Sequence, residues 1–529
     1  LERVAALKTL RAMLAALDAV VPAAAAVAAN APSLVDDEAA IPLERYVLRR
    51  LPVAAALPSG RLDGKLFLIS DDRIGLAALV AARLEKLGAR TRIIDFPAAT
   101  ALPADLGQVD GLVHLWSFNP RSRVRDVKRF FAVVRESLVA KARHLLVASS
   151  LGGDFGDGGA ESNISRGGGL AGLVKSVAKE FPELRAHWVD FDPAQALDDV
   201  AAHIEYELLA SNPLAESAYR DGKRYAREAV ATSLDSGSLD GLPLGPDSVV
   251  LLTGGARGIT ALVAVELARR YRCQLEVVGR SELPEGDEDA ATRGIGDPRQ
   301  LRQALLAAHP QLKPAEIEKL ARRIAAEREV RATLEAVRAA GSTLHYTQLD
   351  VRAARPFAQF IDELYARRGR IDGVIHGAGV VEDKLVRDKT LDSFVRVFDT
   401  KVRGALVLDR RIRDDVKFVV FFSSVASAFG NRGQVDYASA NDVLDKLAHR
   451  WQTRITGRVL SVNWGPWADT GMVSESLKNE YQRKGIGLIP QRQGVHALLR
   501  ELSANSGDTQ VVFMCGKPEN FGAATLIAA

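Results

Sequence analysis

Val249-Val250-Leu251-Leu252-Thr253-Gly254-Gly255-Ala256-Arg257-Gly258-Ile259-Thr260 decides the fold of this 529-residue chain. Four apolar residues in a row, without alternation, mark a strand covered on both faces. A glycine-rich turn follows at once, and Leu262 to Tyr271 repeats its apolar residues at helical spacing. Strand, tight turn and helix in that order bring backbone N–H groups and a helix N-terminus to bear on a pyrophosphate. Thr253, Gly254, Gly255, Arg257, Gly258 and Ile259 are therefore candidate nucleotide residues.

The strands that follow extend the site. Gln274 to Val278 ends in Gly279-Arg280-Ser281. A carboxylate at that point suits the ribose hydroxyls of NAD, whereas an arginine pairs with a 2′-phosphate. Arg280, helped by Arg257, points to NADPH. Asp350-Val351 closes a third strand, with Asp350 expected to accept from the adenine amino group. Gly377-Ala378-Gly379 ends a fourth, where small residues leave room for the cofactor. Phe422-Ser423-Ser424 ends a fifth, and Tyr437-Ala438-Ser439-Ala440-Asn441 opens the next helix. Tyr437 and Asn441, four apart, share one helical face. A phenol fixed beside the Ser424 hydroxyl can hand a proton to a carbonyl oxygen, which carbonyl reduction requires as hydride reaches the carbon.

A second βα series lies upstream, from Lys65. Asp110-Gly111-Leu112-Val113-His114 parallels Asp372-Gly373-Val374-Ile375-His376, and Ser149 to Gly156 aligns without gaps on Ser423 to Gly430. Continued, that register sets Asn163 opposite Tyr437 and Gly167 opposite Asn441, so the first copy lacks the phenol. Its first strand runs into Ser70-Asp71-Asp72, two acids that repel a pyrophosphate. The fold class is α/β: two tandem Rossmann-like, doubly wound parallel sheets, the first degenerate and structural, the second catalytic. The expected divisions are a helix and linker over 1–60, the structural unit over 61–240 and the catalytic unit over 244–529. Within the last, 282–342 reads as an inserted helical hairpin whose charges form a solvated face.

Composition excludes several classes. The chain is 47% apolar and 26% charged, with 70 basic and 66 acidic residues for a net charge of +4. That balance gives no reason to expect nucleic acid or an anionic membrane as partner. Cys273 and Cys515 stand alone in apolar runs, which suits a reducing, cytoplasmic setting and neither a disulfide framework nor zinc. The histidines show no paired metal-ligand spacing, and no apolar run reaches the roughly 18–20 residues that span a bilayer. The opening at Leu1 gives the expectation of a piece of a longer polypeptide.

Together these residues resemble the short-chain dehydrogenase/reductase superfamily and, more narrowly, the ketoreductase domains of type I polyketide and polyunsaturated-fatty-acid synthases. The discriminating feature is Tyr437-x-x-x-Asn441 with Lys401, in Thr400-Lys401-Val402-Arg403-Gly404, on the preceding helix. Free-standing reductases of the superfamily exchange that lysine and asparagine. Asn463-Trp464-Gly465-Pro466-Trp467 and Gly471-Met472 match the segment leading into the family's substrate lid. Val381-Glu382-Asp383 resembles the Leu-Asp-Asp signature of enzymes forming the D-β-hydroxyl (B-type).

The resemblance implies NADPH-dependent reduction of a 3-ketoacyl thioester held on an acyl carrier protein, with neighbouring synthase domains in the same polypeptide. It implies that Tyr437 donates the proton, Ser424 holds the carbonyl, Lys401 lowers the phenol's pKa and Asn441 supports a water relay. Asp383, Trp464 and Met472 fall at substrate and stereocontrol positions. Thr260 departs from the family's third glycine, and the insertion is longer than one helix requires. Two other readings stand beside this one: a silent scaffold or epimerase module, and a free-standing NADP-dependent alcohol dehydrogenase.

Overall fold

The computed structural model describes residues 41–54, 61–96, 108–139, 142–159, 163–210, 214–234, 237–283, 286–468, 475–504 and 506–522. In the first half lie strands β1 (Leu43–Pro52), β2 (Leu66–Ser70), β3 (Arg90–Ile94), β4 (Gly111–His114), β5 (His144–Ser149), β6 (Arg185–Phe191), β7 (Glu216–Arg220) and β8 (Lys223–Ala231). The second half supplies β9 (Val249–Thr253), β10 (Gln274–Gly279), β11 (Leu344–Gln348), β12 (Gly373–His376), β13 (Phe418–Ser424), β14 (Arg458–Trp464) and β15 (Gln510–Cys515).

All fifteen form one sheet, in the order β11-β10-β9-β12-β13-β14-β15-β1-β8-β7-β6-β5-β4-β2-β3. Both wings are parallel, each with a crossover that places the switch point beside its first strand, at β9/β12 and at β2/β4. The α/β class and the doubly wound wings agree with the expectation, but the two sheets are one. The ladders β15/β1, β1/β8 and β7/β8 are antiparallel and weld the wings edge to edge. Fusion removes two exposed edges that would otherwise invite aggregation.

The welding strand β1 falls in the segment expected to be linker, which is thereby corrected; the expected N-terminal helix lies outside the described residues. Arg45, Arg49, Arg50 and Pro52 disguise β1 as a polar connector. Arg45 nevertheless is 8% exposed, because its guanidinium donates to Glu501 at 2.7 Å and Asp508 at 2.8 Å.

The helices that matter to the site are α1 (Leu76–Lys86), α2 (Leu170–Glu180), α3 (Gly258–Tyr271), α4 (Pro298–Ala308), α5 (Pro314–Ala339), α6 (Leu391–Arg411) and α7 (Val435–Gln452). Helices α2 and α7, one from each half, pack together through a core that includes Leu173, Val174, Val443 and Leu447. Their approach is close enough to require glycine: a Cβ on Gly172 would stand 2.3 Å from the Ala438 carbonyl oxygen. Ser439 Oγ donates to Gly169 O at 2.7 Å, and Gly169 N donates to Asp442 Oδ2 at 2.9 Å.

The copy register holds for the strands and fails beyond them. The β5–α2 connection runs from 150 to 169, whereas the β13–α7 connection runs only from 425 to 434. Asn163 therefore sits in a loop, capping a short turn through Ser165 N, and the third residue of each helix pairs Tyr437 with Gly172.

Residues 298–339 fold as helices α4 and α5, packed around Leu301, Leu305, Ile317 and Ala321. Asp297 caps α4 by accepting from Arg299 N and Gln300 N at 2.8 and 2.9 Å, with Pro298 in the first turn. Val330 and Val337 of α5 are fully buried in the core shared with α3, so one face of the charged helix is not solvated.

No helix among the described residues is long and apolar enough to cross a membrane. Among them, too, no cluster of three or more His, Cys, Asp or Glu suits a metal ion.

Candidate active site

A cavity of about 1170 Å³ is lined at one end by the glycine turn and at the other by Tyr437. Gly254, Arg257, Gly258 and Ile259 line it, as do Arg280, Val351 and the run Gly377–Gly379. Three expected nucleotide residues do not. Thr253 is buried, its hydroxyl sharing a 2.8 Å hydrogen bond with His376 Nδ1 and accepting from Ala378 N at 3.3 Å. Gly255 backs onto Leu252. Asp350 faces Arg352, which donates to its carboxylate at 2.6 to 3.1 Å and holds it below the usual range despite the opposing effect of burial. The strand ends at Gln348, two residues before Asp350, and the short Asp350–Arg352 reach consumes the carboxylate.

The lining fits a nicotinamide dinucleotide. The side chain of Arg257 caps nothing at the start of α3, leaving the first-turn N–H groups available to an anion. Gly258 has φ +59° and nothing within 4 Å of where a Cβ would point, while Gly254, φ +72°, passes so near Ala378 that a Cβ would stand 3.0 Å from its Cα. Arg280 forms no ion pair with any described residue.

At the other end, Ser424 terminates β13 and Tyr437 opens α7. Both line the cavity, with Lys401 of α6 beside them. Lys401 is 3% exposed; its ammonium donates to Phe422 O at 2.6 Å and lies 5.3 Å from the centroid of the Tyr437 ring. A Cβ on Gly379 would come within 3.1 Å of the Lys401 side chain, so the small residue there makes room for the lysine. Asn441 lies behind the tyrosine, donating to Tyr437 O at 2.9 Å, and its Oδ1 is buried without a protein partner.

One electrostatic expectation is overturned. Burial, not Lys401, dominates the Tyr437 phenol and pushes its pKa up, with the Asn441 and Ser424 side chains pulling the other way. Burial likewise pushes Lys401 down to about 7, with Asp445 opposing. Both groups are desolvated and favour their neutral forms. The phenol therefore keeps its proton through the neutral range.

Asp445, two turns beyond Tyr437 on the same helix face, was not singled out by its sequence. It accepts from Ser427 Oγ and Ser461 Oγ, each at 2.6 Å, and from Asn463 Nδ2 at 3.0 Å. Asn463 Nδ2 also reaches Ser424 O at 3.0 Å. This buried network fixes the strand end that presents Ser424. The spacing 437, 441, 445 is the signal that was available for it.

The first half braces the same loop. Lys175 and Lys179 of α2 donate to Ala428 O and Gly430 O at 2.9 and 2.8 Å. Glu180 accepts from Gly433 N at 2.9 Å and from Val386 N at 2.7 Å. The segment between Ser424 and Tyr437 is thus tied at several points to the half that lacks a counterpart of Tyr437.

Near the phenol, Asp383 lines the cavity and accepts from Gln434 Nε2 at 3.0 Å; burial raises its carboxyl. Trp464 lines it too, its ring 4.9 Å from that of Trp467. Met472 lies outside the described residues. Sequence reasoning missed Glu329, Val330 and Tyr346, which wall the nucleotide end. The first two come from the insertion.

An open helix N-terminus at a switch point, sharing a cavity with a tyrosine, a serine and a lysine, defines an oxidoreductase of the short-chain reductase kind that takes a nicotinamide cofactor. Residues 248–469 match the KR domain family, and the relatives the chain matches are polyketide and polyunsaturated-fatty-acid synthases. It is 30% identical over 364 residues to a polyunsaturated fatty acid synthase polypeptide of Thraustochytrium sp., an alignment covering 66% of this chain and 13% of that protein. Against the polyketide synthase PksN of Bacillus subtilis it is 25% identical over 356 residues, 65% of this chain and 6% of that one. The chain thus spans a small part of these relatives.

Its fold is shared with a ketoreductase domain from the bacillaene assembly line, with TM-score 0.63, 21% identity and coverage of 91% and 99% of the two chains. A C2-type ketoreductase from a modular polyketide synthase gives TM-score 0.66 at 22% identity, covering 90% and 96%.

Proposed function

We propose that the chain reduces the β-keto group of a 3-ketoacyl thioester, carried on an acyl carrier protein, to the β-hydroxyl within a multidomain synthase. The observation that carries this reading is the single cavity joining the α3 N-terminus to Tyr437, Ser424 and Lys401. When bound, NADPH supplies the hydride; the α3 amides, Arg257 and Arg280 are the groups that would hold it, and the two arginines are the reason for preferring the phosphorylated coenzyme.

The protein's own part is proton supply and placement. Ser424 Oγ holds the substrate carbonyl against the phenol. Tyr437, kept protonated by burial, donates to the oxygen as negative charge develops there. Lys401, its Nζ lying over the ring, stabilises the phenolate that results by taking up charge as the phenol loses its proton. The unpartnered Asn441 Oδ1 calls for a hydrogen-bond donor, since buried acceptors are rarely left unmet, and water there would carry protons back to the phenol. Asp383 near the phenol supports the B-type, D-hydroxyl outcome, which chiral analysis of the product checks; an L-alcohol contradicts it.

The test follows NADPH absorbance with a β-ketoacyl thioester surrogate, in the wild type and Tyr437→Phe. The wild type should turn over. Binding without turnover would favour a scaffold, and preference for a free alcohol with NADP⁺ would favour a dehydrogenase.

A further inference from the structure

Helix α5 belongs to a segment the doubly wound fold does not need, yet it forms part of the nucleotide wall. Thr333 Oγ1 donates to Ala256 O at 3.1 Å, so the helix touches the glycine turn itself. One turn earlier, Glu329 Oε2 accepts from Arg257 Nε at 2.5 Å. Arg257, Arg280, Glu329 and Tyr346 all line the same end of the cavity. Arg257 is close enough to Tyr346 for its charge to oppose the rise that burial gives that phenol.

The helix turn that carries Glu329 is anchored on both sides, although its side chain is half exposed. Val330, beside it, is fully buried. Arg328, on its other side, donates to the Glu288 carboxylate at 2.6 and 2.9 Å, to Ile295 O at 2.6 Å and to Thr292 O at 2.8 Å. The insertion therefore delivers a carboxylate to the glycine-turn end of the cavity, beside the cations Arg257 and Arg280. Of these two, Arg280 has no ion-pair partner among the described residues, while Arg257 is already engaged.

We infer that Glu329 sets coenzyme affinity and selectivity by competing with an adenosine 2′-phosphate for Arg257. The inference rests on the NADPH reading above. A 2′-phosphate carries more charge than one carboxylate and offers several acceptor oxygens, so it can draw Arg257 away. A bare 2′-hydroxyl cannot, and leaves the Arg257–Glu329 pair intact. The carboxylate thus weakens binding of the phosphorylated coenzyme without affecting the other.

The test is calorimetric titration of the whole chain with 2′,5′-ADP, 5′-AMP, NADPH and NADH. It compares wild type, Glu329→Gln, Arg257→Gln and the double variant. Both side chains are about half exposed, at 48% and 45%, so the substitutions leave the fold intact. Because exposed ion pairs are weak, Glu329→Gln should tighten 2′,5′-ADP and NADPH by roughly three- to five-fold. It should leave 5′-AMP and NADH unchanged, and the gain should vanish in the Arg257→Gln background. Unchanged 2′,5′-ADP affinity, an equal gain for 5′-AMP, or a gain that survives without Arg257 overturns the inference. A wild type that does not distinguish 2′,5′-ADP from 5′-AMP overturns the NADPH reading itself, and this inference with it.

Discussion

The turn from β2 into α1 and the turn from β9 into α3 are the same piece of architecture filled in two ways. In the first, Asp72 is fully buried and its carboxylate accepts from Ile74 N at 2.9 Å, Leu76 N at 3.2 Å and Ala77 N at 2.6 Å. A protein carboxylate occupies the place an external anion would take. In the second, Gly258 begins the helix with no side-chain cap, and the amides open onto the cavity.

The strand ends repeat the contrast. Asp190 accepts from Leu151, Gly153, Asp154 and Phe155 N at 2.7 to 3.2 Å and closes the loop after β5. Its counterpart Asn463 instead supports Ser424. The degenerate half has exchanged ligand binding for internal carboxyl groups, and its helix α2 spends its lysines and Glu180 on the loop that carries the chemistry of the other half.

Substitutions can break this contrast. The largest effect is expected from Tyr437→Phe, which should cut turnover by about 10²–10⁴-fold while leaving unfolding unchanged; comparable turnover would remove the phenol from the mechanism. Asp72→Ala strands three helix-start amides and should cost roughly 2–3 kcal/mol in urea unfolding. It should create no second nucleotide site. Ser149→Ala should have the smallest effect. Ser149 Oγ accepts from Trp188 Nε1 at 2.7 Å, so losing it leaves a buried indole N–H unmet, at about 1–2 kcal/mol. Turnover per folded molecule should stay the same, whereas Ser424→Ala should do the reverse. Equal kinetic effects at the two serines would mean that the halves are not divided as described.

The wings of the sheet were legible because apolar strands and helix-periodic runs alternate along the chain. The residues around Tyr437 were legible because Ser424, Tyr437 and Asn441 are close in sequence. What could not be read was long-range. Strand β1 hides its burial behind arginines whose partners, Glu501 and Asp508, are far along the chain. Glu329 meets Arg257 only because α5 folds back over α3. The gap-free register led to Asn163 because the β5–α2 loop had lengthened unseen. The phenol's pKa was misjudged because spacing reports the neighbouring charge but not the loss of solvent.

The division between the halves is tested most directly by equilibrium titration of the whole chain with NADPH, in the wild type and in Gly258→Asp. The variant places in the catalytic turn the kind of carboxylate that fills the other one. The wild type should bind one NADPH per chain and Gly258→Asp none, the variant still folding cooperatively at a cost of about 1–2 kcal/mol for a side chain at φ +59°. Two sites in the wild type, or one that survives Gly258→Asp, would contradict the account.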